Sequence, residues 1–267
     1  MIIKSLILSS IILLSKTGFA FTFNNTVGLA FKNDEVKINV VDNDCSANGF
    51  PWTTNEIMDA SVEAANKFWN VVPTSRLKIR RGSILPQNNN IRDNEVCVGG
   101  DCSNITSDFV TTDILISCSE EATLSNFNNG NTSVLAVTVP TSYSEKELKG
   151  SVILLNSIPG NVLSSKTYSE LVSTLAHEMG HAFGLGHSPV TDSLMYYLSF
   201  DTRSHLGFDD VDGISYLYPR AQPVSCGSIE VINDNDKNGN IRASAIALIL
   251  ISLTLSFMLS KRRKFWN

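Results

Sequence analysis

Three of the chain's four histidines fall between positions 177 and 187, in the stretch HEMGHAFGLGHS, with a glutamate beside the first. On a helix, residues four apart share a face, so His177 and His181 project together. Their imidazoles suit two adjacent corners of a tetrahedral zinc site, at roughly 2.0–2.1 Å from the metal. His187 would lie too far along a continued helix to join them, so the chain must turn back. Gly184 is placed for that turn, because glycine enters the left-handed conformation at a helix end without steric cost; Gly186 loosens the return. Three neutral histidines leave a fourth position open to water, the arrangement of a catalytic rather than a closed structural site. Such a metal lowers the pKa of its water to about 7, and Glu178, beside a ligand on the same helix, is the natural general base. Gly180 inside the helix costs about 1 kcal/mol against alanine, which points to something packed closely there. His205, the remaining histidine, reads as a surface or loop residue. No Gly-x-Ser-x-Gly elbow and no P-loop offers a competing centre.

The elements that must position this cluster are legible in outline. Thr167 and Glu170 form a capping-box pattern that starts the motif helix near Tyr168. An amphipathic helix is expected over 55–72, with apolar residues at Ile57, Ala60, Ala64, Phe68 and Val71, a cap at Thr53 or Thr54, and a stop at Pro73. Strands are expected at 36–41, 76–80, 112–118, 133–139 and 150–156. The segment between the last two, PTSYSEKELK, reads as a polar turn, and the Asn-rich stretch 86–108 as an ordered surface loop. A short helix should close the domain at 208–218. Strands and helices mix without strict alternation, so the fold class is α+β, of the α/β sandwich type.

The two ends argue for export. Residues 1–20 carry Lys4, an apolar run from Leu6 to Leu14 and a small-residue finish, the layout of a signal peptide cleaved after Ala20. The domain then covers 21–219, and a flexible stalk rich in Asn, Asp and Gly covers 220–240. An apolar segment at 241–260, without charge from 243 onward, is long enough to span a bilayer. The basic tail 261–267 places the body of the chain outside the cytoplasm. A lasting transmembrane helix and a cleavable sorting segment look alike here. A net charge of −5, with no basic stripe outside the tail, excludes nucleic acid as the main partner. Five cysteines in an exported chain imply disulfides with one thiol left over: Cys97 and Cys102 would close a local loop, and Cys45, Cys118 and Cys226 offer one further pair. Calcium is conceivable from the Asn/Asp-rich loops, although no EF-hand-like spacing occurs.

His177, Glu178, His181, Gly184 and His187 resemble the metzincin pattern HExxHxxGxxH, which in that superfamily is followed by a methionine-bearing turn. Met195, in SLMYY, lies eight residues past His187. Ser188 directly after the third histidine and the short spacing to Met195 are most similar to the matrixin branch. The resemblance implies a zinc metalloendopeptidase with one catalytic Zn2+ held by His177, His181 and His187, and a twisted five-stranded mixed sheet. Glu178 would be the general base, and Met195 a hydrophobic floor beneath the metal. The edge strand at 133–139 would take an extended polypeptide substrate by strand addition. Tyr197 would form a wall of the substrate pocket or help stabilise an oxyanion. Asp209 and Asp210 resemble the acidic pair of the matrixin closing helix, which serves structural ion pairing. Matrixins commonly hold a second, structural zinc, for which only His205 remains here. No propeptide with a cysteine switch is visible, and Cys45 lacks that context. A monomeric ectodomain acting on polypeptides is expected; the alternative is a catalytically silent metzincin-fold module for adhesion at the cell surface, against which Glu178 argues.

Overall fold

The computed structural model describes residues 21–25, 28–43, 49–97, 109, 112–120, 127, 130–197 and 202–220. The expected signal peptide, stalk, membrane segment and basic tail lie outside these residues, as do Cys45, Cys102 and Cys226. Among the described residues no helix is long and apolar enough to cross a membrane. Cys97 and Cys118 are each disulfide-bonded.

Six strands form one sheet: β1 (Ala30–Phe31), β2 (Glu35–Val41), β3 (Lys78–Leu85), β4 (Ile114–Ser119), β5 (Ala136–Ser144) and β6 (Glu147–Asn156). The order is β1-β6-β4-β2-β3, with β5 paired to β6; β5 runs antiparallel to β6 and every other pairing is parallel. Among the described residues four α-helices accompany it: α1 (Thr54–Ala64), α2 (Asn89–Asp93), α3 (Tyr168–Ala182) and α4 (Phe208–Leu217). The α+β sandwich is therefore the observed architecture. The sheet has one strand more than expected, because β1 is only two residues long and carries no alternation to detect.

Strand periodicity divides the core. Ile114 and Ile116 of β4 and Ile153 and Leu155 of β6 face the cluster shared with α1 and α3. Leu115, Val152 and Leu154 point the other way, into a smaller cluster with Ile91, Val96 and Phe127. Successive side chains of a strand alternate faces, so a sheet covered on both sides needs the continuous apolar runs that β4 and β6 contain. Each fully buried Leu or Ile contributes about 1.5–3 kcal/mol.

Three expectations need correction. The helix over 55–72 is α only to Ala64; residues Ala65–Trp69 form a π-helical turn that ends it before Pro73. That turn carries Trp69, whose indole N–H donates to the Ala176 carbonyl at 2.9 Å and so ties α1 to the motif helix. The polar turn at 140–149 is mostly strand. β5 runs to Ser144 and β6 starts at Glu147, with Glu145 at φ 55° in the tight connection. An edge hairpin exposed to water does not need apolar alternation, so its extension was silent in the pattern. The Asn-rich stretch contains the short α2, which Asn88 caps through its side chain.

Candidate metal centre

α3 begins where the capping box requires. Thr167 Oγ1 accepts from the Glu170 N–H, and the Glu170 carboxylate accepts from the Thr167 N–H at 2.8 Å. These bonds, with the Lys166 ammonium, hold the Glu170 carboxyl down at about 2. The helix ends in a Schellman motif: Gly184 N–H donates to the His181 carbonyl at 2.9 Å and Leu185 N–H to the Gly180 carbonyl at 3.0 Å. Gly184 sits at φ +105°, and a Cβ there would lie 2.1 Å from the Leu29 carbonyl oxygen. No other residue fits this turn, which reverses the chain toward His187.

The three histidines come together. Their candidate ligand atoms lie within 4.8 Å of one another, with His177 buried, His181 partly buried and His187 exposed. His177 Nδ1 lies 2.8 Å from the Leu194 carbonyl and His181 Nδ1 2.8 Å from the Leu185 carbonyl. A carbonyl only accepts, so each Nδ1 is the protonated nitrogen and each Nε2 carries the lone pair. Burial pulls the His177 and His181 imidazoles down to about 4, which keeps both neutral at neutral pH. His181 Nε2 and His187 Nε2 stand 3.2 Å apart. Two nitrogens bound at 2.0–2.1 Å to one tetrahedral ion would stand roughly 3.3 Å apart. Donor type, the neutral state of His177 and His181, and the His181–His187 separation fit a zinc ion.

Met195 is buried against the motif helix, 2% exposed. A Cβ on Gly180 would fall 2.3 Å from its sulfur, so the close packing expected at that glycine is the methionine itself. The methionine turn is held from α4. Asp210 accepts from Leu194 N–H at 2.6 Å, Met195 N–H at 3.1 Å, Ser193 Oγ at 2.5 Å and Gly207 N–H at 2.8 Å. Among the described residues Asp210 is held by hydrogen bonds where ion pairing was expected. Neutral backbone donors stabilise a buried carboxylate without a second charge to desolvate. Asp209 is 7% exposed at the same helix start, and desolvation pushes its carboxyl up.

A cleft of about 440 Å³ opens beside the histidines, lined by residues 22–24 and 136–138 together with Glu178, His181, Gly186 and His187. Glu178 is 6% exposed. Tyr197 does not line the cleft; it is 52% exposed and packs on Tyr196, with ring centroids 5.0 Å apart. His205 is exposed beside Asp192.

One wall was missed in the sequence. Residues 21–25 lie along the return loop: Gly186 N–H donates to the Thr22 carbonyl at 2.8 Å and Asn24 N–H to the Gly184 carbonyl at 2.8 Å. Thr22 Oγ1 donates to the His187 carbonyl at 2.6 Å. The glycine at 186 serves this approach rather than a loosened return, since a Cβ would lie 2.4 Å from Thr22 Oγ1 and its φ is not positive. Nothing in FTFNN marks it as a partner of the third histidine, because backbone pairing and a single threonine hydroxyl leave no distinctive signature.

Residues 100–219 match the matrixin family, Peptidase_M10. Among curated relatives, Metalloendoproteinase 5-MMP of Arabidopsis thaliana is 40% identical over 63 residues, 23% of this chain and 18% of that protein. Matrix metalloproteinase-9 of Canis lupus familiaris is 54% identical over 50 residues, 18% of this chain and 7% of that protein. Stromelysin-1 of Mus musculus is 48% identical over 63 residues, 21% of this chain and 13% of that protein. The matched segments thus span less than a fifth of these relatives. Matrixins use a catalytic zinc, and the three-histidine group here is of the kind that holds one. Over residues 100–219 the chain is thus similar to the matrixins, and the geometry of its three histidines agrees with that likeness.

Proposed function

We propose that the chain is an exported zinc metalloendopeptidase that cleaves extended polypeptides, with His177, His181 and His187 as the metal ligands. The observation that carries the reading is the convergence of the three imidazoles beside Glu178 in a cleft that a sheet edge also lines. A zinc ion so held supplies Lewis acidity, polarising a carbonyl and activating water. The Glu178 carboxylate takes the proton of the attacking water and passes it to the leaving amine. Among the described residues β5 pairs with β6 alone, so its outer edge is the place for a substrate main chain to add as a further strand. Met195 forms the apolar floor beneath the ligands. Tyr197, outside the cleft lining, is assigned no part in the chemistry.

Export and anchoring rest on residues 1–20 and 241–267, and the relatives named as endoproteinases favour a protease over a silent adhesion module. The test is casein cleavage by the wild type and by Glu178→Gln, with and without a zinc chelator. Glu178→Gln is expected to retain zinc and lose about 10²–10⁴-fold in kcat. Equal, chelator-insensitive activity in both would refute the assignment.

A further inference from the structure

Alternation along β5 sends Val137 and Val139 toward the smaller core cluster and Ala136 and Thr138 toward the face that α3 covers. An apolar residue would satisfy that position, as alanine does at 136. Thr138 instead places a hydroxyl there, and its Oγ1 lies 2.6 Å from Glu178 Oε2. The same oxygen is 3.2 Å from the Glu178 carbonyl. A hydroxyl has one proton to donate, and a carboxylate oxygen at 2.6 Å is the stronger acceptor. The wall strand of the cleft is therefore bonded directly to the carboxylate beside the first ligand.

We propose that Thr138 is a positioning residue for Glu178. Its hydroxyl commits Oε2 to the strand and leaves Oε1 to exchange a proton with the reacting water. Without that bond the carboxylate gains rotamers, and misplacement by about 1 Å is enough to cost about 100-fold in rate. The bond also couples two functions, since the strand that would bind substrate is the strand that orients the base. The inference rests on the reading of Glu178 as general base.

The experiment compares the wild type with Thr138→Val and Thr138→Ser in the full-length protein. Zinc content, peptide turnover and the 13C shift of the Glu178 side-chain carboxylate are measured, the last in the metal-free protein and assigned by its loss in Glu178→Gln. Thr138→Val is expected to bind one zinc, to lower kcat about 10- to 100-fold with KM within about twofold, and to move the carboxylate resonance. Thr138→Ser is expected to restore both signals. If the valine variant does not fold, Thr138→Ala removes the hydroxyl without added bulk and is read in the same way. An unmoved resonance, or an unchanged kcat in a variant lacking the hydroxyl, overturns the inference and leaves the protease reading intact. A zinc-loaded wild type that cleaves no peptide overturns both.

Discussion

The histidine cluster and the walls of its cleft are built at different ranges along the chain. Within the cluster, His181 is held by a carbonyl four residues away and His177 by one seventeen residues away. The walls depend on contacts across far longer separations: Thr22 to His187 spans 165 residues, Asn24 to His181 spans 157 and Thr138 to Glu178 spans 40. Ligands placed by nearby backbone keep their geometry as long as one helix and one turn persist. Walls placed by distant segments require the whole sheet and the segment 21–25 to be assembled. The metal site should accordingly outlast the substrate cleft when the fold is perturbed.

The comparison breaks most readily at Asp210, the tertiary support of the methionine turn. Asp210→Ala removes the acceptor of four buried or backbone donors, and a loss of about 3–5 kcal/mol is expected, with His177 released because its carbonyl partner belongs to the same turn. Thermal unfolding together with zinc titration would check it. A variant as stable as the wild type would mean the methionine turn stands without α4.

Acidification is the second probe. In the folded metal-free chain burial holds His177 and His181 at about 4, below the ordinary 6.5. Between those values the unfolded chain binds more protons than the folded one, so stability falls as pH drops from about 6.5 to 4. Melting temperatures of metal-free wild type should decline across that window, and His177→Asn should flatten part of the decline. A flat wild-type profile would show that the imidazoles are not buried as described.

The smallest effect is expected at the N-terminal wall. Thr22→Val deletes one hydroxyl donor to the His187 carbonyl and should cost about 1 kcal/mol. Zinc affinity should weaken by less than tenfold, since the other two ligands keep their own partners. Chelator competition measures this, and a loss as large as that from His187→Ala would erase the distinction between cluster and wall.

How legible these parts were follows from the same distinction of range. The capping box at Thr167 lies where the pattern puts it, and Thr53, one of the two caps the pattern allowed, starts α1, because donor and acceptor are three residues apart. The turn at Gly184 and the meeting of three histidines follow from spacing alone. The π-helical turn at Ala65–Trp69 was not legible: it is registered by Trp69 reaching Ala176, 107 residues away. β1 was missed because two residues paired to Glu147 and Leu148 carry no periodicity. The hairpin end was missed because an exposed edge carries polar residues.

By itself the sequence determined the candidate metal-ligating residues, the carboxylate of Glu178 beside them, the helix that presents two of the histidines and the glycine that returns the third. Those depend on helical pitch, capping and left-handed backbone, all set within a dozen residues. Only the tertiary structure decided which carbonyls fix the imidazoles, that Met195 fills the space above Gly180, that Asp210 holds the turn with hydrogen bonds, and that Thr22 and Thr138 bound the cleft. Such contacts join segments whose separation no local energy encodes; they arise when burying the two faces of the sheet brings distant backbone and side chains within reach of a single hydrogen bond.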